Sequence, residues 1–237
     1  MQPLKLLHNN PNARTLFGGF LDPNRTRETF EVLVTRFLNP QEGFFRRERA
    51  WLELVELKDD EKVIPAMIAA LDSEIPEVRI RALDMLGSIR TAISLEPVVK
   101  KLDDGEEAVR LQAVSTLWSI LSVIEVESPQ SFGLVSNAFV ISPDKKKEAV
   151  DIAYTALTSK LLSRDTFAVK DDSIRALMHL GVNHPSQERK EQILASLDNF
   201  SKTKKEDSSL RRTAEEAIKT ITEGYPPEFD VFGFSIY

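Results

Sequence analysis

The chain has 237 residues, a net charge of −6 and no cysteine. That length suits one solenoid or two small domains with an ample core, the acidic balance argues against a nucleic-acid backbone as the main partner, and the missing cysteine excludes disulfides, thiolate metal sites and Cys nucleophiles. No run approaches the roughly 18 apolar residues of a membrane span, and the first residues lack the apolar core of a signal peptide, so the chain is expected to be soluble and cytoplasmic, although a transit peptide already removed would leave no trace.

Residues 1–25 carry turn formers, Asn9-Asn10-Pro11-Asn12 and Gly18-Gly19. Leu16, Phe17, Phe20 and Leu21 either cover the open end of the first helical repeat or belong to a flexible arm. Asp22-Pro23-Asn24-Arg25-Thr26 reads as a helix start, with Asn24 or Thr26 as N-cap. Phe30, Leu33, Val34, Phe37 and Leu38 then fall on one stripe, and Asn39-Pro40 stops the helix. A second helix is predicted from about Phe44 to Leu57.

Two in-phase copies of one pattern come next. An apolar helix ends in Leu71-Asp72 and again in Leu102-Asp103; an acidic turn leads to Val78-Arg79 and to Val109-Arg110; a small residue is third, Ala82 and Ala113, then Leu86 and Leu117. The period is about 31 residues, and Arg47, Ala50 and Leu54 fit an earlier, degenerate copy. A helical hairpin repeated at this spacing buries its apolar face only by stacking on its neighbours. The small residue lets another helix cross close by. The spacing also predicts a ladder of ion pairs, with Asp72 and Asp103 reaching Arg79 and Arg110 within a repeat or across to the next. Each pair, if partly exposed, would contribute about 0.5 kcal/mol.

The Leu-Asp, acidic turn, Val-Arg-x-x-Ala, Leu86-Gly87 pattern resembles the HEAT-repeat (armadillo-like) superfamily, nearest to the short repeats of phycobilisome-lyase type. The resemblance covers 60–121 strongly and the rest weakly but in phase. It implies an all-α fold, a right-handed α-solenoid of about five HEAT-like helical hairpins whose second helices line a concave face. It also implies a function among adaptors, assembly factors and chaperone-like lyase subunits that hold a bilin or its acceptor protein. One branch of the superfamily binds iron through His-Glu pairs; His8, His179 and His184 are the only histidines and none precedes Glu.

Residues 122–145 break the period with either an extra packed helix or a projecting insert, containing Phe132, Val135, Ala138 and Phe139. Ser128-Pro129 and Ser142-Pro143 each read as an N-cap followed by the first helical residue. Ala149, Ile152, Ala153, Ala156, Leu157 and Leu161 resume the stripe, and Lys170-Asp171-Asp172-Ser173 reads as the cap of its partner helix. The repeat alanine is expected at Ala176, with Leu180-Gly181 matching Leu86-Gly87. The last repeat has Leu210-Arg211-Arg212-Thr213-Ala214 after a basic turn at Lys202–Lys205, and Glu223-Gly224 ends it. One domain is thus expected over 1–224. Residues 225–237 form an aromatic tail that either folds back over the last repeat or into the groove, or docks into a partner.

Phosphate-binding glycine loops, nucleophile elbows and zinc-protease motifs are lacking, so no catalytic residue, metal ligand or cofactor is assigned. His179 and His184 are not on one helix face, and Lys145-Lys146-Lys147 reads as a solvated helix start. Trp118 stands where Gly87 stands one repeat earlier, as gap filler or as binding anchor. Away from the packed faces lie Arg81, Asp84 and Ser88, then Gln112, Ser115 and Ser119. With Trp118 they form the expected partner contact set. The reading is a non-enzymatic scaffold or assembly factor binding another protein. The alternative is a subunit or chaperone of a phycobilin lyase system, with a bilin as ligand.

Overall fold

The computed structural model describes residues 28–124, 142–183 and 186–224. The proposed caps Asn24 and Thr26, the segment 1–25, the insert beyond residue 124, His8, His184 and the tail lie outside them. The described residues form ten α-helices and no strand: α1 (Phe30–Leu38), α2 (Phe44–Val55), α3 (Val63–Ala70), α4 (Pro76–Ile89), α5 (Leu95–Lys100), α6 (Glu107–Ile124), α7 (Pro143–Leu162), α8 (Phe167–Asn183), α9 (Gln187–Ser201) and α10 (Ser208–Glu223). They pair as five hairpins.

Local chemistry sets the helix ends. Thr29 caps α1, its hydroxyl accepting from the Val32 N–H. Ser142 caps α7 ahead of Pro143 and Ser186 caps α9, each accepting from the backbone N–H three residues on. Pro76 opens α4, where its missing N–H costs no helical bond. The cap expected at Lys170–Ser173 is overturned: α8 begins at Phe167, where Thr166 accepts from the Val169 N–H.

That shift has a packing consequence. In α6 the buried positions are Val109, Ala113, Val114, Thr116, Leu117 and Ile120; sixty residues on, α8 buries Val169, Ser173, Ile174, Ala176, Leu177 and Leu180. The small residue at the crossing is therefore Ser173, not Ala176. Its hydroxyl is satisfied by donating to the Val169 carbonyl at 2.7 Å, so a polar side chain is tolerated at full burial. Within this register α4, α6, α8 and α10 pack side by side in succession, and α5, α7 and α9 form the neighbouring row. The third and fourth hairpins stack directly, although residues 125–141 separate them in sequence. One continuous apolar core runs from Leu33 and Phe37 to Ile221. The helix crossing is closest at Gly181, where an added Cβ would lie 2.8 Å from Ile221 Cδ1 and 3.0 Å from its Cγ1; at Gly87 it would meet Thr116 at an ordinary 3.5 Å. Close approach thus demands glycine at Gly181 and not at Gly87.

The ion-pair ladder exists in a corrected form. Arg79 donates to the Ser73 carbonyl of its own turn and to Asp104 of the next repeat at 2.7 Å; Arg110 repeats this with the Asp104 carbonyl and Asp165. Lys170 continues it to Glu206 at 2.7 Å. Asp72 and Asp103 serve a second row, receiving Lys101 and Lys160 from the following repeat. Helix direction decides the assignment: the guanidinium leaves the first turn pointing forward along the stack and meets the next turn's carboxylate. Asp104, Asp165 and Lys160 are buried to less than a tenth of side-chain exposure, so these are not the exposed pairs the spacing suggested.

Candidate functional site

The parallel second helices present one continuous surface, and the sequence-predicted contact residues lie on two adjacent members of it. On α4, Ser88 is exposed and donates to the Asp84 carbonyl, while Asp84 is half-buried. Arg81 is held by a forked pair with Glu48 of α2, Nε to Oε1 at 3.1 Å and Nη2 to Oε2 at 2.6 Å. Its guanidinium also lies 4.4 Å from the centre of the Trp51 ring. Arg81 therefore ties the first hairpin to the second. Ser115 on α6 is exposed; Gln112, Trp118 and Ser119 are half-buried.

Trp118 packs its inner side on the core and its ring against His179 of α8, 5.6 Å between centres at a 43° tilt. This fills the space beside the crossing and leaves part of the indole open. Burial, followed by the nearby Arg175 charge, holds the His179 imidazole below its ordinary value, so the ring is neutral near pH 7. His179, Met178 and Val182 extend the surface onto α8, all half-buried. Sequence reasoning missed them because the three-residue register error turned that side of α8 elsewhere. The burial pattern starting at Val169 is the signal that finds them.

Charge is distributed unevenly over this surface. Asp84, Arg175 and Glu216 hold corresponding places on α4, α8 and α10, whereas α6 carries no charged residue from Leu111 to Ser122. The middle of the face is a neutral strip of serine and glutamine around one tryptophan. At the first hairpin Phe45 and Leu52 of α2 are exposed, and Phe45 meets Phe44 edge-on at 5.6 Å. Such a surface offers a half-open tryptophan, the residue type most enriched among interface anchors. Among the described residues no His, Cys, Asp and Glu group could hold a metal ion. None of the described helices is long and apolar enough to cross a membrane.

Comparison with known proteins agrees with this geometry. A family model described as HEAT repeats matches residues 30–120, the first three hairpins. No curated protein matches the chain. Among solved structures, an engineered protein is 17% identical over 93% of this chain and 89% of its own, with a TM-score of 0.54, a likeness of fold. A designed armadillo repeat protein in complex with the peptide (KR)4 is 15% identical over 82% of this chain and 100% of its own, TM-score 0.33. The CpcE–CpcF complex of phycocyanin lyase from Nostoc sp. PCC7120 is 16% identical over 82% and 88%, TM-score 0.36. The last two are too distant to carry an argument about function.

Proposed function

Because residues 30–120 are HEAT repeats and the same stacking continues through α10, we propose that this protein is a non-enzymatic scaffold or assembly factor. It holds another protein against the exposed side of its second helices. The observation that carries this reading is the neutral strip of α6 with Trp118 half-open at its centre. In a chain with 29% charged residues, the positions of α6 from 111 to 122 that are not buried, Leu111, Gln112, Ser115, Trp118, Ser119 and Ser122, all lack charge, which favours coverage by another polypeptide. Trp118 supplies the anchor; Ser115, Ser119 and Gln112 give adaptable hydrogen bonds around it. Asp84 and Ser88 border the strip on one side, beside the clamped Arg81.

The test is quantitative affinity capture from the source cell with the unaltered chain, Trp118→Ala and Ser115→Arg. Specific partners are expected to fall at least tenfold with each variant, the loss of about 1.4 kcal/mol or more typical of an anchor residue. Helical circular dichroism should be unchanged. Equal recovery of every partner by all three proteins would overturn the reading.

A further inference from the structure

The last helix differs from its predecessors on the side where a sixth repeat would stack. Val114, Leu117 and Leu121 of α6 are buried, as are Ile174, Leu177 and Gly181 of α8. In the corresponding places α10 has Glu215 and Thr222, both exposed, and half-buried Ile218. The outer side of α10 is thus polar, the character a terminal repeat needs. No uncovered core at that end requires the aromatic residues beyond it.

Those residues, Tyr225 to Tyr237, contain Phe229, Val231, Phe232, Phe234 and Ile236. They leave α10 through Gly224, whose φ of +87° suits glycine and breaks the helix direction at that point. The exit lies at the edge shared by the C-terminal halves of α8 and α10, which touch at Gly181 and Ile221. Two helix spacings, about 20 Å, separate α10 from α6. Thirteen residues span up to about 45 Å, so the segment reaches the neutral strip with length to spare.

We propose that residues 225–237 occupy the strip of α6 and α8 as an intramolecular ligand, seating their aromatic side chains against Trp118, Met178 and Val182, and that a partner must displace them. The proposal rests on the scaffold reading and adds to it a built-in competitor. On the α6 side no charge has to be desolvated, and on the α8 side Arg175 is already paired with Asp171 and stays exposed at the border. A tethered segment also competes at a high effective concentration despite weak intrinsic affinity.

The test uses the full chain, with Phe232→Ser and Phe234→Ser combined, and follows tryptophan emission. Trp51 is 7% exposed and serves as a constant background. Emission is expected to move to the red in the double variant, to return on titration with a synthetic peptide of residues 225–237, and to be insensitive to both changes when Trp118 is replaced by Phe. Partner capture is expected to rise in the double variant. Unchanged emission in the double variant, or a peptide that binds equally well to Ser115→Arg, would overturn the proposal. So would a concentration-dependent emission accompanied by a doubled mass, which would assign the strip to a second copy. If the tail experiments fail while Trp118→Ala still abolishes capture, only the tail assignment falls.

Discussion

Asp165 is the residue on which two repeats depend most directly. It accepts from Arg110 at 3.0 Å and Lys160 at 3.3 Å and also receives the Thr166 N–H. Burial alone would raise its carboxyl, but the Thr166 amide and the two cations outweigh burial and hold it below the ordinary range. Asp104 behaves alike: burial is opposed by Arg79 and by the Glu106 N–H, and the result is again a lowered value. Both groups therefore contribute stability that is complete above the unfolded carboxyl value of about 3.9 and is lost as pH falls through their lower folded values. Urea midpoints measured from pH 7 to 2.5 should stay level to about pH 4 and then drop, with a shallower drop in Asp165→Asn. At neutral pH that substitution leaves two buried cations short of a partner. It should cost about 3 kcal/mol and lower the thermal midpoint by about 6–12 °C. Arg211 holds the same place on α10 as Arg110 on α6, but among the described residues no carboxylate pairs with it, and its Nε is buried without a partner there. Arg211→Met is accordingly expected to shift the midpoint far less than Arg110→Met, in the same thermal melt.

At the scale of elements, α8 and α10 approach more closely at Gly181 than α4 and α6 do at Gly87. Gly181→Ala would press a methyl group into Ile221, a β-branched side chain with little freedom to turn aside, and is expected to cost about 1–3 kcal/mol. Gly87→Ala meets only ordinary contact at Thr116 and should be neutral or stabilising by up to about 1 kcal/mol through helix propensity. Chemical denaturation of the two variants separates these outcomes. The pair also shows what sequence could and could not reveal. The hairpins of α3–α4 and α5–α6 were legible because Val-Arg-x-x-Ala recurs there intact. In α8 the same places hold Val169, Lys170 and Ser173, a chemically adequate substitution with no literal match, while Arg175-Ala176-Leu177 and Leu180-Gly181 supplied a misleading one. The partial exposure of Asp84, Ser88, Gln112, Ser115 and Ser119 on α4 and α6 followed from periodicity. The α8 side, with Met178, His179 and Val182, did not, because a three-residue slip rotates a helix by most of a turn. Nor did spacing reveal that Arg81 is engaged by Glu48, since that pair joins separate repeats.

At the scale of the whole molecule, the five hairpins share one buried cluster, with direct contacts between every successive pair of second helices from α4 to α10. Unfolding is therefore expected to be a single transition, with coincident loss of helical circular dichroism and tryptophan emission. Two separated transitions would show that the fourth and fifth hairpins unfold independently of the first three. The direct stacking of the third hairpin on the fourth has a practical corollary. The helices that flank residues 125–141 in sequence belong to hairpins that touch directly. A reporter domain or an epitope inserted at that junction, with ends spaced to match it, is therefore expected to be tolerated with the direct contacts of the two hairpins kept.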